Sequence, residues 1–566
     1  MLGKIFKVIH TVKYLKPQQI AGQVVSRVRS RFSNPARLLN QSIPAAGQCC
    51  WPEGIDILPP GLQANSDCEI LNGRLTFLNS TQEVGWMPDW QSEKLPKLWL
   101  YNLHYFEWLW SLEYKNARAV TLDWIENHQP ARAQQGWEPY PISLRVMNLC
   151  GVFFAKYRSE TEADDEFRHA LWKSIYLQSE WLMSHLETHL LANHYLENGA
   201  ALAFVGSCFE GPVAQRWMEK GLEILKSEIA EQILPDGMHF ELSPMYHSRM
   251  LYVVMLLEAT GNRRIAEVVQ EPLKRMSRAL SQLCHPDGQI ALFNDSAFGI
   301  YNSPSQLVEY CSDLRTQNKD GQREGSFKLL NSGYFGWRDQ RQNYLVCDAG
   351  PIGPDYQPGH AHADMFSFEL SLHGCRVIVD SGIHDYENSK LRRYGRSTAA
   401  HNTVEIDEAD QCELWGTFRV ARRGIPKNIE WKGTDSGFRL SGSHSGYERL
   451  PGKPRHSREI QWDGTQDLMS VRDTVSARKS VKVVSRIHLH PDCFVREQRE
   501  ESLIIGYPKG QFRIDVRGPN AITVAVGWYF PEFGKKIQNT VIEIRSEGVK
   551  IESGYDVRSL KPQESP

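Results

Sequence analysis

At 566 residues, 41% hydrophobic and 23% charged, the chain has a globular composition too long for one ordinary core, so two or three domains are expected. A formal net charge of −2 excludes a global field that would recruit nucleic acid, and attraction for an acidic ligand has to be local. No apolar run reaches the ~18 residues needed to span a bilayer. The 11 cysteines show no metal-binding spacing and read as reduced thiols, which favours a cytosolic setting.

The N-terminal stretch MLGKIFKVIHTVKYLKPQQ is broken by Lys4, Lys7 and Lys13 and lacks the continuous apolar core of a signal peptide. It predicts a short basic amphipathic helix with Leu2, Ile5, Ile9 and Val12 on one face, and no acidic residue precedes Glu53. Such a stripe is expected to pack on the body of the protein. Weak contact with an anionic membrane surface is the alternative. The expected location is cytoplasmic or peripheral at the inner membrane, with the periplasm a poorer fit.

Residues 1–95 read as this arm followed by an irregular segment bearing Pro and Gly. Residues 96–325 read as helical. LHYFEWLWSLEY, DEFRHALWKSIYLQSEWLMSHL and YHSRMLYVVMLLEAT carry apolar residues three and four apart, and loops such as LPDGM and HPDGQ punctuate them. Helical hairpins joined this way predict an α/α toroid. After a polar linker from Arg315 to Ser326 the period changes to two, and residues 326–566 predict a large antiparallel β-sandwich. In FSFELSLHGCRVIVD the alternation is broken by a turn at His373-Gly374. The fold class expected is therefore α+β and multidomain, toroid first and sandwich second.

Four stretches carry groups suited to chemistry. NHYLENG holds Asn193, His194 and Glu197. On a helix His194 and Glu197 are three apart and share a face, though a polar helix start accounts for this stretch alone. HFELSPMYHSRM holds His239, Glu241, Tyr246, His247 and Arg249. Capping by Ser243 with Pro244 in the first turn explains the helix start but not the density of aromatic and basic groups. PGHAHADMF places His360, His362 and Asp364 at the mouth of a strand. VDSGIHDY…RRYGRSTAAHNTV places Asp380 at a strand end and His401 at the next strand start. His362, Asp380 and His401 form an imidazole–carboxylate set of the kind that holds zinc. His360 shares a strand face with His362 if that strand begins early.

These stretches, in this order and over most of the chain, resemble the heparinase II/III-like polysaccharide lyases, a family that includes alginate and oligoalginate lyases. The resemblance implies a helical toroid facing a sandwich across a cleft. It implies catalytic roles for Asn193, His194, Tyr246 and His360, and a structural divalent metal, usually assigned as zinc, on His362, Asp380 and His401. Glu197, His247, Arg249, Tyr394 and Arg396 are the expected substrate contacts. A further tyrosine serves some alginate-type members, and both Tyr386 and Tyr394 qualify. The partner implied is an acidic polysaccharide or oligosaccharide; homo-oligomerisation is left open.

Such a lyase removes the C5 proton of a uronic acid and expels the 4-O-linked sugar. Donors must stabilise the charge that develops on the carboxylate, and a base and an acid must reach C5 and the leaving oxygen. Tyrosine, whose pKa is normally ~10, can serve if nearby cations lower it; His247 and Arg249 beside Tyr246 suggest such tuning. Syn elimination would use Tyr246 twice, anti elimination His360 or His194 as base. Arg392, Arg393, Arg396, Arg419, Arg422 and Arg423 are candidate local charge, and Trp99, Trp108, Trp110 and Trp137 candidate stacking walls, burial being the simpler expectation for most. Two other functions compete. One is a glycoside hydrolase using two of Asp236, Glu241 and Asp295. The other is a non-catalytic glycan-binding or assembly factor in envelope polysaccharide biosynthesis.

Overall fold

A computed structural model describes residues 2–32, 35–61, 65–130, 134–314, 324–518 and 521–560. Most of the linker expected from Arg315 to Ser326 lies outside the described residues.

The helical half is built from paired helices with two kinds of burial. Pro139–Gly151, Ala192–Cys208 and Pro244–Ala259 are buried almost throughout. Asp165–Ser184, Pro212–Gln232 and Arg263–Gln282 bury one face only. That is an inner set of helices wrapped by an outer, amphipathic set, as a toroid requires. Glycines let one pair approach closely. A Cβ on Gly221 would lie 2.4 Å from Ala203 N, and one on Gly206 2.6 Å from Met218 N, so Ala192–Cys208 and Pro212–Gln232 pack almost backbone to backbone. Trp99, Trp108, Trp110 and Trp137 are all core residues. Each indole N–H donates to a protein oxygen: Ser80 O, Leu103 O, Asn148 Oδ1 and His128 O respectively. They form no exposed stacking wall.

The second half holds two large antiparallel sheets and a small two-stranded one, Leu414–Trp415 with Arg419–Val420. A five-stranded meander runs Gly325–Leu329, Tyr334–Arg338, Tyr344–Asp348, Phe368–Leu372 and Cys375–Ile378. Its last hairpin turns at His373-Gly374, where both residues have positive φ (51° and 82°), as a tight two-residue hairpin turn demands. A ten-stranded sheet is organised around two long partners, Leu468–His488 and Ile537–Leu560.

The three central strands of the meander are buried on both faces, and their alternation shows why. Phe335, Trp337, Leu345 and Cys347 pack into one core with Phe438, Leu440, Trp462 and Ile487 of the large sheet. Tyr334, Tyr344 and Val346, at the intervening positions, pack against Met238, Leu242, Ala279 and Phe293 of the helical half. The small sheet is thus the middle layer between helices and large sheet. The expected toroid-plus-sandwich architecture is observed.

The N-terminal region departs from expectation in two ways. Within the segment read as irregular, Arg74–Phe77 and Ser80–Glu83 form a hairpin. The arm does form helices, Leu2–Val12 and Pro17–Phe32, but Ile5, Ile9 and Val12 are exposed and do not pack on the body.

Because Phe335 is 1% exposed between two sheets, Phe335→Ala is expected to cost about 3–5 kcal/mol. The measurement is a lowered thermal midpoint of the sandwich.

Candidate active site

Four chain segments converge where the helical half meets the sandwich, and each is delivered by a residue forced into the left-handed region. Leu191 (φ 61°) and Ala192 (φ 52°) precede Asn193, Leu242 (φ 58°) precedes Ser243, and Asn294 (φ 57°) precedes Asp295. Non-glycine residues of this kind persist only where surrounding contacts hold them, and they gather at functional sites. Phe366 (φ 62°) marks the fourth segment, just after Asp364.

Ser243 caps Pro244–Ala259 by accepting from Tyr246 N at 3.2 Å. That places Tyr246 on the first turn, with its hydroxyl 2.9 Å from the hydroxyl of Tyr386. Its ring stacks on His360 at a centroid distance of 3.8 Å. His360 donates through Nδ1 to Asp295 Oδ2 at 2.9 Å, and its Nε2 lies 3.7 Å from Glu241 Oε2. Phe418 stands edge-on to this pair, 6.3 Å from the His360 ring and 5.2 Å from that of Tyr386.

On the helical wall, His194 bonds through Nδ1 to Glu187 Oε1 at 3.1 Å and packs on Tyr140 with ring centroids 4.4 Å apart. Glu187 is held in turn by Asn198. Partial burial alone would lower the His194 pKa, but the Glu187 carboxylate outweighs it and holds the imidazole above its ordinary value. Asn193 accepts from His194 N through Oδ1, which leaves Nδ2 as its donor to a ligand. Its own N–H points at Glu241 Oε1, 3.4 Å away. Glu241 therefore sits between Asn193 and His360. Burial raises its carboxyl pKa, and its Oε2 has no hydrogen-bond partner.

Asp295 joins the parts. Fully buried, it takes both guanidinium nitrogens of Arg392, the Nδ1–H of His360 and the Nε2–H of His362, the last at 2.8 Å. Burial would push its pKa up; Arg392 and the two imidazoles overcome that and hold it well below the carboxylate range.

Behind His360 lies a buried His/Asp cluster. One donor atom each from His362, Asp364 and His401 lies within 4.8 Å of the others. All three residues keep a buried side-chain atom without a hydrogen bond: His362 Nδ1, Asp364 Oδ2 and His401 Nε2. Orphaned buried atoms of this kind are rare and call for a partner. Two imidazoles and a carboxylate are a donor set for a divalent metal. The other nitrogen of each imidazole bonds a carboxylate, His362 Nε2 with Asp295 and His401 Nδ1 with Asp380 at 2.9 Å, the usual arrangement behind a metal-bound histidine. Asp380, expected as a ligand, thus orients His401, and Asp364 joins the donor cluster in its place.

Five residues expected to touch substrate are placed elsewhere. Glu197 and Arg249 form a buried ion pair at 2.7 Å beneath the helical wall, where Glu197 also accepts from Tyr140 at 2.8 Å. His247 points away from the cleft. Its Nε2 donates to Met276 O at 2.9 Å, and burial lowers it to about 4, so it supplies no cation to Tyr246. Burial and Tyr386 instead raise the Tyr246 phenol. Tyr394 accepts from Trp528 N at 3.3 Å and packs edge-on to Phe530, so Tyr386 is the tyrosine that meets Tyr246. Arg396 donates to Ala361 O at 3.1 Å and Thr417 O at 2.9 Å. Sequence reasoning misses Glu187 and the linking role of Asp295, because the strand- and helix-period patterns carry no signal for either.

The family model of the heparinase II/III N-terminus matches residues 74–318, and that of the heparinase II/III-like C-terminal region matches residues 321–559. The chain belongs to the heparinase II/III-like family. It is 28% identical over 321 residues to a heparin-sulfate lyase of Pedobacter heparinus, covering 50% of this chain and 47% of that protein. It is 27% identical over 405 residues to a heparin-sulfate lyase of Bacteroides stercoris, covering 65% and 56%. The chain spans about half the length of these relatives. Its fold matches the crystal structure of heparinase III with a TM-score of 0.70 at 16% identity, covering 96% of this chain and 89% of that one. It matches a heparan sulfate lyase from Pedobacter heparinus at 0.61 and 19%, covering 96% and 88%.

If Glu197 and Arg249 are a structural pair, Glu197→Gln leaves a buried guanidinium without its main counter-charge. A loss of about 3–5 kcal/mol is expected. Replacing both residues together, Glu197→Leu with Arg249→Met, should recover much of it in thermal unfolding.

Proposed function

We propose that this cleft cleaves a uronic-acid glycan by β-elimination. The observation that carries this reading is the Asp295–His360–Tyr246 arrangement. Asp295 accepts the Nδ1–H of His360, so the neutral ring keeps its lone pair on Nε2, on the side of Glu241. Tyr246 keeps its proton, because burial and Tyr386 raise its pKa. One ring is a base and the stacked ring an acid, at adjacent positions.

In this reading His360 Nε2 takes the C5 proton. The C5–H electrons form the C4–C5 double bond, the C4–O bond breaks, and the Tyr246 phenol protonates the departing oxygen. Protonated His194 and Asn193 Nδ2 hold the uronate carboxylate, where charge builds as C5 loses its proton. Tyr386 positions the Tyr246 hydroxyl. Asp295 is poorly suited to a hydrolase, since two imidazoles and a guanidinium already engage its oxygens.

The substrate class follows the acidic polysaccharides of the heparin-sulfate lyases to which the chain is similar, with one restriction. Arg249, Arg392 and Arg396 are buried and engaged with protein groups. Recognition by His194 and Asn193 suits a carboxylate better than a dense array of sulfates. A metal on His362, Asp364 and His401, zinc by donor type, would tie the two segments that carry them together and supply fixed positive charge behind Asp295.

Three measurements test this. Purified protein with uronic-acid polysaccharides should generate the ultraviolet absorbance of a 4,5-unsaturated product, faster on unsulfated than on heavily sulfated chains. Tyr246→Phe and His360→Ala should each lower the rate about 10²–10⁴-fold; retention of rate in both would sink the assignment. In Glu187→Gln the imidazolium of His194 loses the charge that raises its pKa. The alkaline limb of kcat/KM should therefore move to lower pH, the protonated form now being lost earlier as pH rises. Elemental analysis should find one divalent metal per chain, absent in His401→Ala.

A further inference from the structure

The two N-terminal helices are seated inside out. Leu2–Val12 turns Lys7, His10 and Thr11 toward the protein, while Ile5, Phe6, Val8, Ile9 and Val12 are 41–61% exposed. Pro17–Phe32 buries Gln19 and Gly22, while Ile20, Val24, Val25 and Val28 are 42–57% exposed. Among the described residues twenty large apolar side chains are exposed, and nine of them lie between Ile5 and Val28. A surface helix of a soluble protein normally does the reverse, and a concentration of exposed apolar side chains marks an interaction surface.

The seating is specific. The Thr11 hydroxyl accepts from the Trp415 indole at 3.0 Å. Gln19 Nε2 donates to Leu190 O and Tyr356 O, each at 3.3 Å. The guanidinium of Arg423 lies 3.7 Å from the ring centre of Tyr14, and Lys16 pairs with Glu231. A Cβ on Gly22 would meet His189 N at 2.9 Å, so this helix rests directly on backbone. Polar anchors hold the arm by its polar side, and its apolar side is left outward.

Charge selects the occupant. The first 52 residues carry Lys4, Lys7, Lys13, Lys16, Arg27, Arg29, Arg31 and Arg37, and no Asp or Glu. A second copy of the chain docked on this face would bring like charges together. An anionic bilayer offers both an apolar interior for the exposed face and negative headgroups for the flanking cations.

We propose that the outward apolar face of the arm docks on an anionic lipid surface. The segments that seat it also build the cleft walls: Leu190 lies three residues before Asn193, Tyr356 four before His360, and Trp415 three before Phe418. Docking would therefore hold the cleft near the membrane, where an acidic glycan attached to lipid is within reach.

The test is flotation of the full chain with vesicles of phosphatidylcholine, with or without phosphatidylglycerol, alongside light scattering of the protein alone. At least tenfold more protein is expected on the anionic vesicles, and high salt should reduce it, because the Debye length falls from ~10 Å at 0.1 M to ~3 Å at 1 M. Ile9→Asp with Val24→Asp should abolish flotation and leave the thermal midpoint unchanged, since both side chains are exposed. Flotation that is equal on neutral vesicles, absent on both, or retained by the double variant overturns the proposal. So does a dimer that the double variant dissolves without vesicle binding, which assigns the face to a second copy. Arg29→Glu provides an independent variant: it should weaken anionic flotation alone, and no change would remove the electrostatic part of the argument.

Discussion

The site depends on the buried carboxylate of Asp295. An unpaired carboxylate in this position would cost several kcal/mol. The chain offsets that with Arg392, His360 and His362, all from the sandwich half, while Asp295 itself follows the last helical hairpin. The site is therefore complete only when the two halves are docked. The same bonds settle two tautomers. Nδ1–H on His360 leaves Nε2 free on the cleft side, and Nε2–H on His362 leaves Nδ1 free on the cluster side. One carboxylate thus prepares one imidazole for proton transfer and its neighbour for a metal.

Rigidity around that carboxylate comes from layering. The central strands of the five-stranded sheet have neither face in water, so the strand that leads away from His360 and His362 is clamped by helices on one side and by the ten-stranded sheet on the other. On the helical wall, the Glu197–Arg249–Tyr140 network fills the space beneath His194 and Tyr246. A satisfied buried network of this kind fixes side-chain positions more strictly than apolar packing does.

Periodicity carries much of the fold. Three- and four-residue spacing identifies the helices, the switch to period two identifies the sandwich, and alternation singles out His360 and His362. Contacts between segments distant in sequence are not legible in this way. Glu187 precedes His194 by seven residues in an irregular stretch, and Asp295 lies in a loop with no period at all. Choosing between Asp364 and Asp380 requires knowing which nitrogen of His401 is already bonded. Arg249, Arg396 and His247 are misplaced by sequence for a related reason. Composition suggests a basic pocket rim, but whether a cation faces the ligand depends on which internal carboxylate or carbonyl engages it first.

Arg392 is neutralised by Asp295 and Arg249 by Glu197, so these permanent cations add little net charge to the cleft. His194, paired with Glu187 yet part-exposed, is by contrast a group whose charge depends on pH, unlike a guanidinium. On the proposed reading this suits the reaction. A fixed array of arginines would bind the ground-state anion as strongly as the transition state, which improves affinity without accelerating elimination. A donor such as His194, held by its own carboxylate and aimed at one position, can respond to charge as it develops on the uronate. Arg392 then serves the chemistry indirectly, by keeping the Asp295 carboxylate that orients His360 ionised and in place.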